Sequence, residues 1–165
     1  MKKVIILGTS RTDGETKKLV SKIQEYSDYD LIDLNEYTIS QYDYEHKNKD
    51  DDFIPLMRKI LENYEVLIFA TPVYWYAMSG VLKMFFDRFT DLITIEKDLG
   101  RKLRGKYMAV VTSSYGNDLG EDFWIPFKGC AEYLGMKYIT DLHTTPNDLD
   151  EQKIQNFSHL IDATA

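Results

Sequence analysis

Short apolar runs alternate with stretches of helical periodicity along the whole chain. Val4-Ile5-Ile6-Leu7, closed by Gly8, predicts a buried strand. Leu19, Val20 and Ile23 fall on one face of a helix expected over 15–26. A weaker strand is expected over 29–34, where Leu31 and Ile32 lie between Asp30 and Asp33. A helix over 53–63 follows, with Pro55 tolerated in its first turn. Val66-Leu67-Ile68-Phe69-Ala70 is the strongest strand signal in the chain. Leu82, Phe85, Phe86 and Phe89 then recur at helical spacing, which predicts one amphipathic helix over 80–92 capped by Ser79. A fourth strand is expected over 107–112. Phe123, Phe127, Cys130, Ala131 and Leu134 share a face of the next helix, with Pro126 confined to its first turn and Gly135 at its stop. A fifth strand over 137–142 and a closing helix over 149–161 complete the pattern.

Apolar strands separated by helices form a parallel sheet covered on both faces. Five such units match the doubly wound, flavodoxin-like strand order 2-1-3-4-5 better than a six-stranded dinucleotide fold. A length of 165 residues suits one domain, and neither a repeat nor a Pro/Gly-rich linker divides it. The expectation is a single flavodoxin-like α/β domain over 1–165. The polar segment 35–52 is longer than most loops in compact domains and carries His46, Lys47 and three consecutive aspartates, Asp50 to Asp52. It suits a solvated acidic loop and a segment near a site equally well.

Composition narrows the function classes. The chain is 44% hydrophobic and 28% charged, as expected of a folded globular protein rather than a disordered one. Its 27 acids against 20 bases give a net charge of -7, which disfavours nucleic acid as a partner. The single cysteine, Cys130, excludes an intramolecular disulfide and any multi-cysteine metal or iron–sulfur site. Met1-Lys2-Lys3 followed by Val4 to Leu7 imitates a signal peptide, but the apolar run is too short. No stretch approaches the about 20 apolar residues of a membrane span. A cytoplasmic protein without a membrane partner is therefore expected.

In a sheet of this order the ligand sits beyond the carboxyl ends of the strands. The first exit, Gly8-Thr9-Ser10-Arg11-Thr12-Asp13-Gly14-Glu15-Thr16, packs hydroxyls, glycine-adjacent amides and a guanidinium ahead of a helix N-terminus, all suited to a phosphate. It matches neither a Walker A loop nor a GxGxxG fingerprint, and it also suits a plain βα loop capped by Thr12 or Asp13. The second exit, Thr71 to Gly80, places Tyr74, Trp75 and Tyr76 side by side. Three adjacent aromatics cannot all face one core, so a flat ring stacked against them is favoured over a partly exposed rim or a subunit contact. The third, Thr112-Ser113-Ser114-Tyr115-Gly116-Asn117, repeats hydroxyls followed by glycine.

At these loops the chain resembles the NAD(P)H-dependent FMN reductase and quinone reductase group of the flavodoxin-like superfamily. The resemblance is carried by GTSRTDGET, by ATPVYWYAMSGVLKMFFDRFTD and by the Thr112 to Gly116 loop. It implies that Ser10, Arg11, Gly14, Glu15 (through its backbone) and Thr16 surround the FMN phosphate. Pro72, Val73, Tyr74, Trp75 and Tyr76 would line one side of the flavin ring, and Ser113, Ser114, Tyr115 and Gly116 the other. It further implies NADH or NADPH as electron donor, a small acceptor (quinone, nitro or azo compound, or free flavin), and a homodimer or homotetramer. Asp87-Arg88 matches the group's Asp-Arg pair and is expected to be structural or interfacial. Glu15 stands where relatives often carry Asn, and a carboxylate beside a phosphate is unfavourable unless it is offset. With a bound flavin carrying the hydride chemistry, no residue need act as acid or base. The three histidines form no motif; each suits a surface or locally satisfied position, with His46 and His143 as candidates for the site rim. Two rivals to a reductase share the fold: a flavodoxin-type electron carrier without its own substrate, and a flavin-free interaction domain.

Overall fold

The structure, a computed structural model that describes residues 1–164, runs β1 (Lys3–Leu7), α1 (Glu15–Glu25), β2 (Asp30–Asp33), α2 (Phe53–Asn63), β3 (Val66–Tyr74), β4 (Ala77–Met78) and α3 (Gly80–Asp87). It continues with α4 (Phe89–Thr94), α5 (Lys97–Gly100), β5 (Tyr107–Ser113), α6 (Ile125–Leu134), β6 (Lys137–Thr144) and α7 (Glu151–Thr164). The parallel sheet has the order β2-β1-β3-β5-β6, and the short β4 folds back antiparallel on β3. Counting parallel strands alone, this is the flavodoxin-like order 2-1-3-4-5 expected from the hydrophobic pattern.

Period-two alternation divides each central strand between two cores. Val4, Ile6, Leu67, Phe69, Met108 and Val110 face one side, with α2, α3, α4 and α6. Ile5, Leu7, Ile68, Ala70, Ala109 and Val111 face the other, with α1 and α7. The first core is rich in phenylalanine: Phe69 meets Phe86 with ring centroids 4.9 Å apart, and Phe86 meets Phe127 at 5.6 Å. At the sheet edge one extra residue of β6 lies between Tyr138 and Asp141, opposite Met108 and Val110, and forms a bulge. Among the described residues, no helix is long and apolar enough to cross a membrane.

Two expectations are corrected. The third strand does not end at Ala70 but continues to Tyr74 and turns into a hairpin, pairing Val73 with Met78 and Tyr74 with Ala77. Trp75 and Tyr76 form its turn with φ of 51° and 59°, values that favour Gly or Asn, so the sequence carries no hairpin signal there. The helix expected over 80–92 is two helices, α3 and α4, that meet at Arg88. Arg88 is fully buried and its guanidinium reaches Asp91 (2.7 Å), Asp51 (2.5 Å) and the Ser40 carbonyl (3.1 Å). Asp87 instead pairs with Lys83 on the surface.

The polar segment 35–52 is a compact loop tied at its base. The Thr38 amide donates to Asp52, the Asp52 amide returns to the Thr38 carbonyl, and the Ser40 amide donates to Asp51. His46, within it, meets Asp91 at 2.8 Å and is locally satisfied. His159 is exposed on α7.

Candidate active site

The carboxyl edge of the sheet is organised by one serine and one glycine. Ser79 caps α3 by accepting from the Leu82 amide, donates its hydroxyl to the Gly8 carbonyl (2.7 Å), and donates its own amide to Thr71 Oγ1. A Cβ on Gly8 would lie 2.7 Å from Leu82 Cβ, so only glycine lets α3 approach the end of β1 this closely.

A cleft of about 270 Å³ opens beside this junction. From the first exit it is lined by Thr9, Arg11, Gly14, Glu15 and Thr16. Gly14 occupies the cap position of α1 and no side chain caps that helix; the Lys17 amide turns back to the Gly14 carbonyl, and the Glu15 and Thr16 amides are left at the cleft wall with the positive end of the helix dipole. The Arg11 side chain is 63% exposed, its one ionic neighbour being Asp13 at 3.6 Å. The Glu15 carboxylate is held by Lys18 at 2.7 Å, which offsets its charge. Thr9 is fixed by the Asn35 side chain, whose Nδ2 donates to the Thr9 carbonyl at 2.8 Å.

Pro72, Val73 and Tyr74 supply the second wall, and Ser113, Ser114 and Tyr115 the third. Thr16 Oγ1 and Ser113 Oγ meet at 2.7 Å in the buried floor and join α1 to β5. Ser114 donates its hydroxyl to the Gly116 carbonyl (2.9 Å) and meets His143 Nε2 at 2.6 Å. Burial and then the Lys153 cation hold His143 below the usual histidine range, so the imidazole is neutral near pH 7. With the Ser114 hydrogen on Gly116, the Nε2–H of that imidazole donates to Ser114. Across the mouth the Tyr76 hydroxyl donates to Asp118 at 3.1 Å and links the hairpin tip to the β5–α6 loop.

The structure thus brings ten of the sequence-predicted residues to one cleft: Arg11, Gly14, Glu15, Thr16, Pro72, Val73, Tyr74, Ser113, Ser114 and Tyr115. Ser10, Trp75, Tyr76 and Gly116 stand outside its lining, and Trp75 points into solvent at 96% exposure. Two lining residues lay outside the sequence expectation. Thr9 was visible in the first exit; Pro146 follows β6, a fourth exit with its own Thr144-Thr145-Pro146 signal. A larger groove of about 1020 Å³ flanks α2. Its walls carry charged groups of both signs, with Arg58 and Glu96 paired at 3.4 Å.

The cleft fits a flat phosphorylated ligand, with the uncapped start of α1 and the exposed Arg11 guanidinium at one end and apolar, aromatic and hydroxyl groups at the other. Comparison with known proteins agrees. The sequence profile of the NADPH-dependent FMN reductase family matches residues 1–143. The putative NAD(P)H-dependent FMN-containing oxidoreductase YwqN of Bacillus subtilis (strain 168) is 29% identical over 178 aligned positions, covering 98% of this chain and 97% of that protein. The NADPH azoreductase of Bacillus sp. (strain OY1-2) is 29% identical over 97 positions, 59% of this chain and 54% of that one. The solved Trp repressor binding protein of Bacillus subtilis superposes with a TM-score of 0.76 at 26% identity, covering 97% of each chain. This chain therefore belongs to the NADPH-dependent FMN reductase family and is a flavodoxin-like, FMN-dependent NAD(P)H oxidoreductase.

Proposed function

We propose that FMN occupies the cleft between the exits of β1, β3 and β5, and that reducing equivalents pass from NAD(P)H through it to a small acceptor. The observation that carries the reading is the uncapped N-terminus of α1 beside the side chain of Arg11, on the same cleft as Pro72 to Tyr74. Arg11, Thr16 and the first-turn amides would hold the phosphate. The Pro72–Tyr74 and Ser113–Tyr115 segments would flank the ring, with Trp75, Tyr76 and Gly116 at its rim and Ser10 behind Arg11. When bound, the flavin supplies the hydride chemistry. The chain's residues orient it and exclude water from one side. The acceptor is a quinone, a nitro or azo compound, or free flavin.

The test compares FMN with riboflavin, which lacks the phosphate. Arg11→Ala should weaken FMN binding by about 10- to 100-fold, the worth of a charge-assisted hydrogen bond, and leave riboflavin binding unchanged. Equal losses for both ligands would remove Arg11 from the phosphate end. Oxidation of NAD(P)H with a quinone acceptor by the purified holoprotein separates the reductase from a carrier.

The same reading includes a homodimer or homotetramer. An apolar groove of about 320 Å³ between α3, α4 and α6, walled by Phe86, Phe89, Ile93 and Tyr133, supports a second copy on that face. Tyr133→Glu should then lower the mass seen in sedimentation.

A further inference from the structure

Asn35 opens the polar segment 35–52, beyond the end of β2, yet its side chain bonds to the first exit of the cleft. Its Nδ2 donates to the Thr9 carbonyl at 2.8 Å and to Asp33 Oδ1 at 3.0 Å. Both neighbours are acceptors, so only the NH2 end of the side-chain amide can face them. Asp33 Oδ1 also accepts from the Asn35 backbone amide at 3.0 Å, which caps the short turn Leu34–Glu36 and pins the side chain. The other Asp33 oxygen lies 3.5 Å from Lys17 Nζ in the first turn of α1. The exit of β2 is thus tied to both ends of the loop between β1 and α1, to Thr9 at its start and to Lys17 just after it.

The bond to Thr9 sets which way the next amide points. Gly8 faces β3 and α3: its amide donates to the Ala70 carbonyl, and its carbonyl accepts from Ser79. Thr9 turns its carbonyl to the opposite side, beyond β2, where Asn35 takes it. In a trans peptide the N–H lies antiparallel to the C=O, so the Ser10 amide points away from Asn35 and toward the side on which the cleft lies. The Arg11 amide is taken up by Thr9 Oγ1 at 3.2 Å, which ties Arg11 to the same residue while its guanidinium stays exposed. We propose that Asn35 is a positioning residue for phosphate binding: by holding the carbonyl of the buried Thr9 on the β2 side, it presents the Ser10 amide and the Arg11 side chain to the phosphate of the flavin. Without that bond the Thr9–Ser10 peptide is free to rotate and the Ser10 amide loses its aim. The walls around the ring, Pro72–Tyr74 and Ser113–Tyr115, do not bond to this peptide, so the loss falls on the phosphate alone.

The inference rests on the FMN phosphate lying at this end of the cleft, and its test is discrimination between FMN and riboflavin. Fluorescence quenching of each flavin is titrated with the full chain freed of flavin, as wild type, Asn35→Ala and Asn35→Leu. Leucine fills the space of the amide with no hydrogen to give, so the pair separates the bond from the packing. Both variants should bind FMN about 3- to 10-fold more weakly than wild type, the worth of one hydrogen bond, and bind riboflavin unchanged. Equal losses for the two flavins overturn the inference, because Asn35 would then be structural only, and undiminished FMN binding overturns it as well. A loss in Asn35→Ala that Asn35→Leu repairs also overturns it, since packing would be the cause. A wild type that binds FMN no more tightly than riboflavin removes the phosphate assignment, and this inference with it. Asn35 is exposed and its replacement leaves both cores intact, so urea midpoints should stay near wild type and establish that the variants fold.

Discussion

Arg88 shows how much one side chain can organise. Its charge is fully buried against Asp91 and Asp51, the Ser40 carbonyl and the face of Phe53, with the guanidinium carbon 4.8 Å from that ring's centroid. Burying three charges is costly, so the group contributes less net stability than its contacts suggest, but removing one partner strands the others. Arg88→Ala should therefore destabilise the protein by about 3–5 kcal/mol in urea unfolding. Arg88→Lys should recover little of that, since an ammonium cannot span two carboxylates and a carbonyl as the planar fork does. Asp87→Asn, on the exposed neighbour, should stay within about 0.5 kcal/mol of wild type. The sequence marked the Asp-Arg dipeptide as structural; it could not show that the two residues face opposite ways, because their partners lie in a distant loop and on different turns.

At the scale of elements, the hairpin after β3 stores strain at the cleft mouth. Two bulky residues with positive φ occupy the turn where Asn-Gly would be relaxed. Replacing Trp75 and Tyr76 by Asn and Gly should raise stability by about 1–3 kcal/mol, read as a higher thermal midpoint. The same change removes the Tyr76–Asp118 link and should weaken FMN retention. A variant that is both less stable and unchanged in FMN binding would contradict this account of the turn. The junction of β1 with α3 is the opposite case, a place with no slack. Gly8→Ala puts a methyl against Leu82 and should cost about 1–3 kcal/mol, the usual penalty of overpacking. The helix starts, including the Ser79 cap, were legible from local chemistry. The hairpin was not, since its turn residues contradict local preference and are held there by the surrounding structure.

For the whole molecule, acid should erode stability in two stages. His143 binds its proton less readily when folded than when unfolded, so its contribution is complete above about pH 6.5 and is lost as pH falls toward its lower folded value. Burial raises the Asp51 carboxyl, but the bonds from Arg88 and from the Ser40 and Phe53 amides outweigh it and hold it below the usual range. Its contribution is present above about pH 3.9 and disappears below that. Thermal midpoints should be flat above pH 7, decline gently toward pH 5 and fall steeply below pH 4. His143→Gln should abolish the first decline and leave the second.

By itself the sequence determined the sheet order, the division of each strand between two cores, and the three loops that carry the cleft. These follow from periodicity and from the rule that such sheets bind ligands at their carboxyl ends, both encoded in residues close together in the chain. Tertiary structure alone decided which residues of those loops face inward. It turned Trp75 and Tyr76 outward, brought Pro146 in from a fourth exit and set His143 behind Ser114. A side chain's direction at the end of a strand depends on the last peptide units before the turn and on partners up to a hundred residues away. No window of local pattern contains that information.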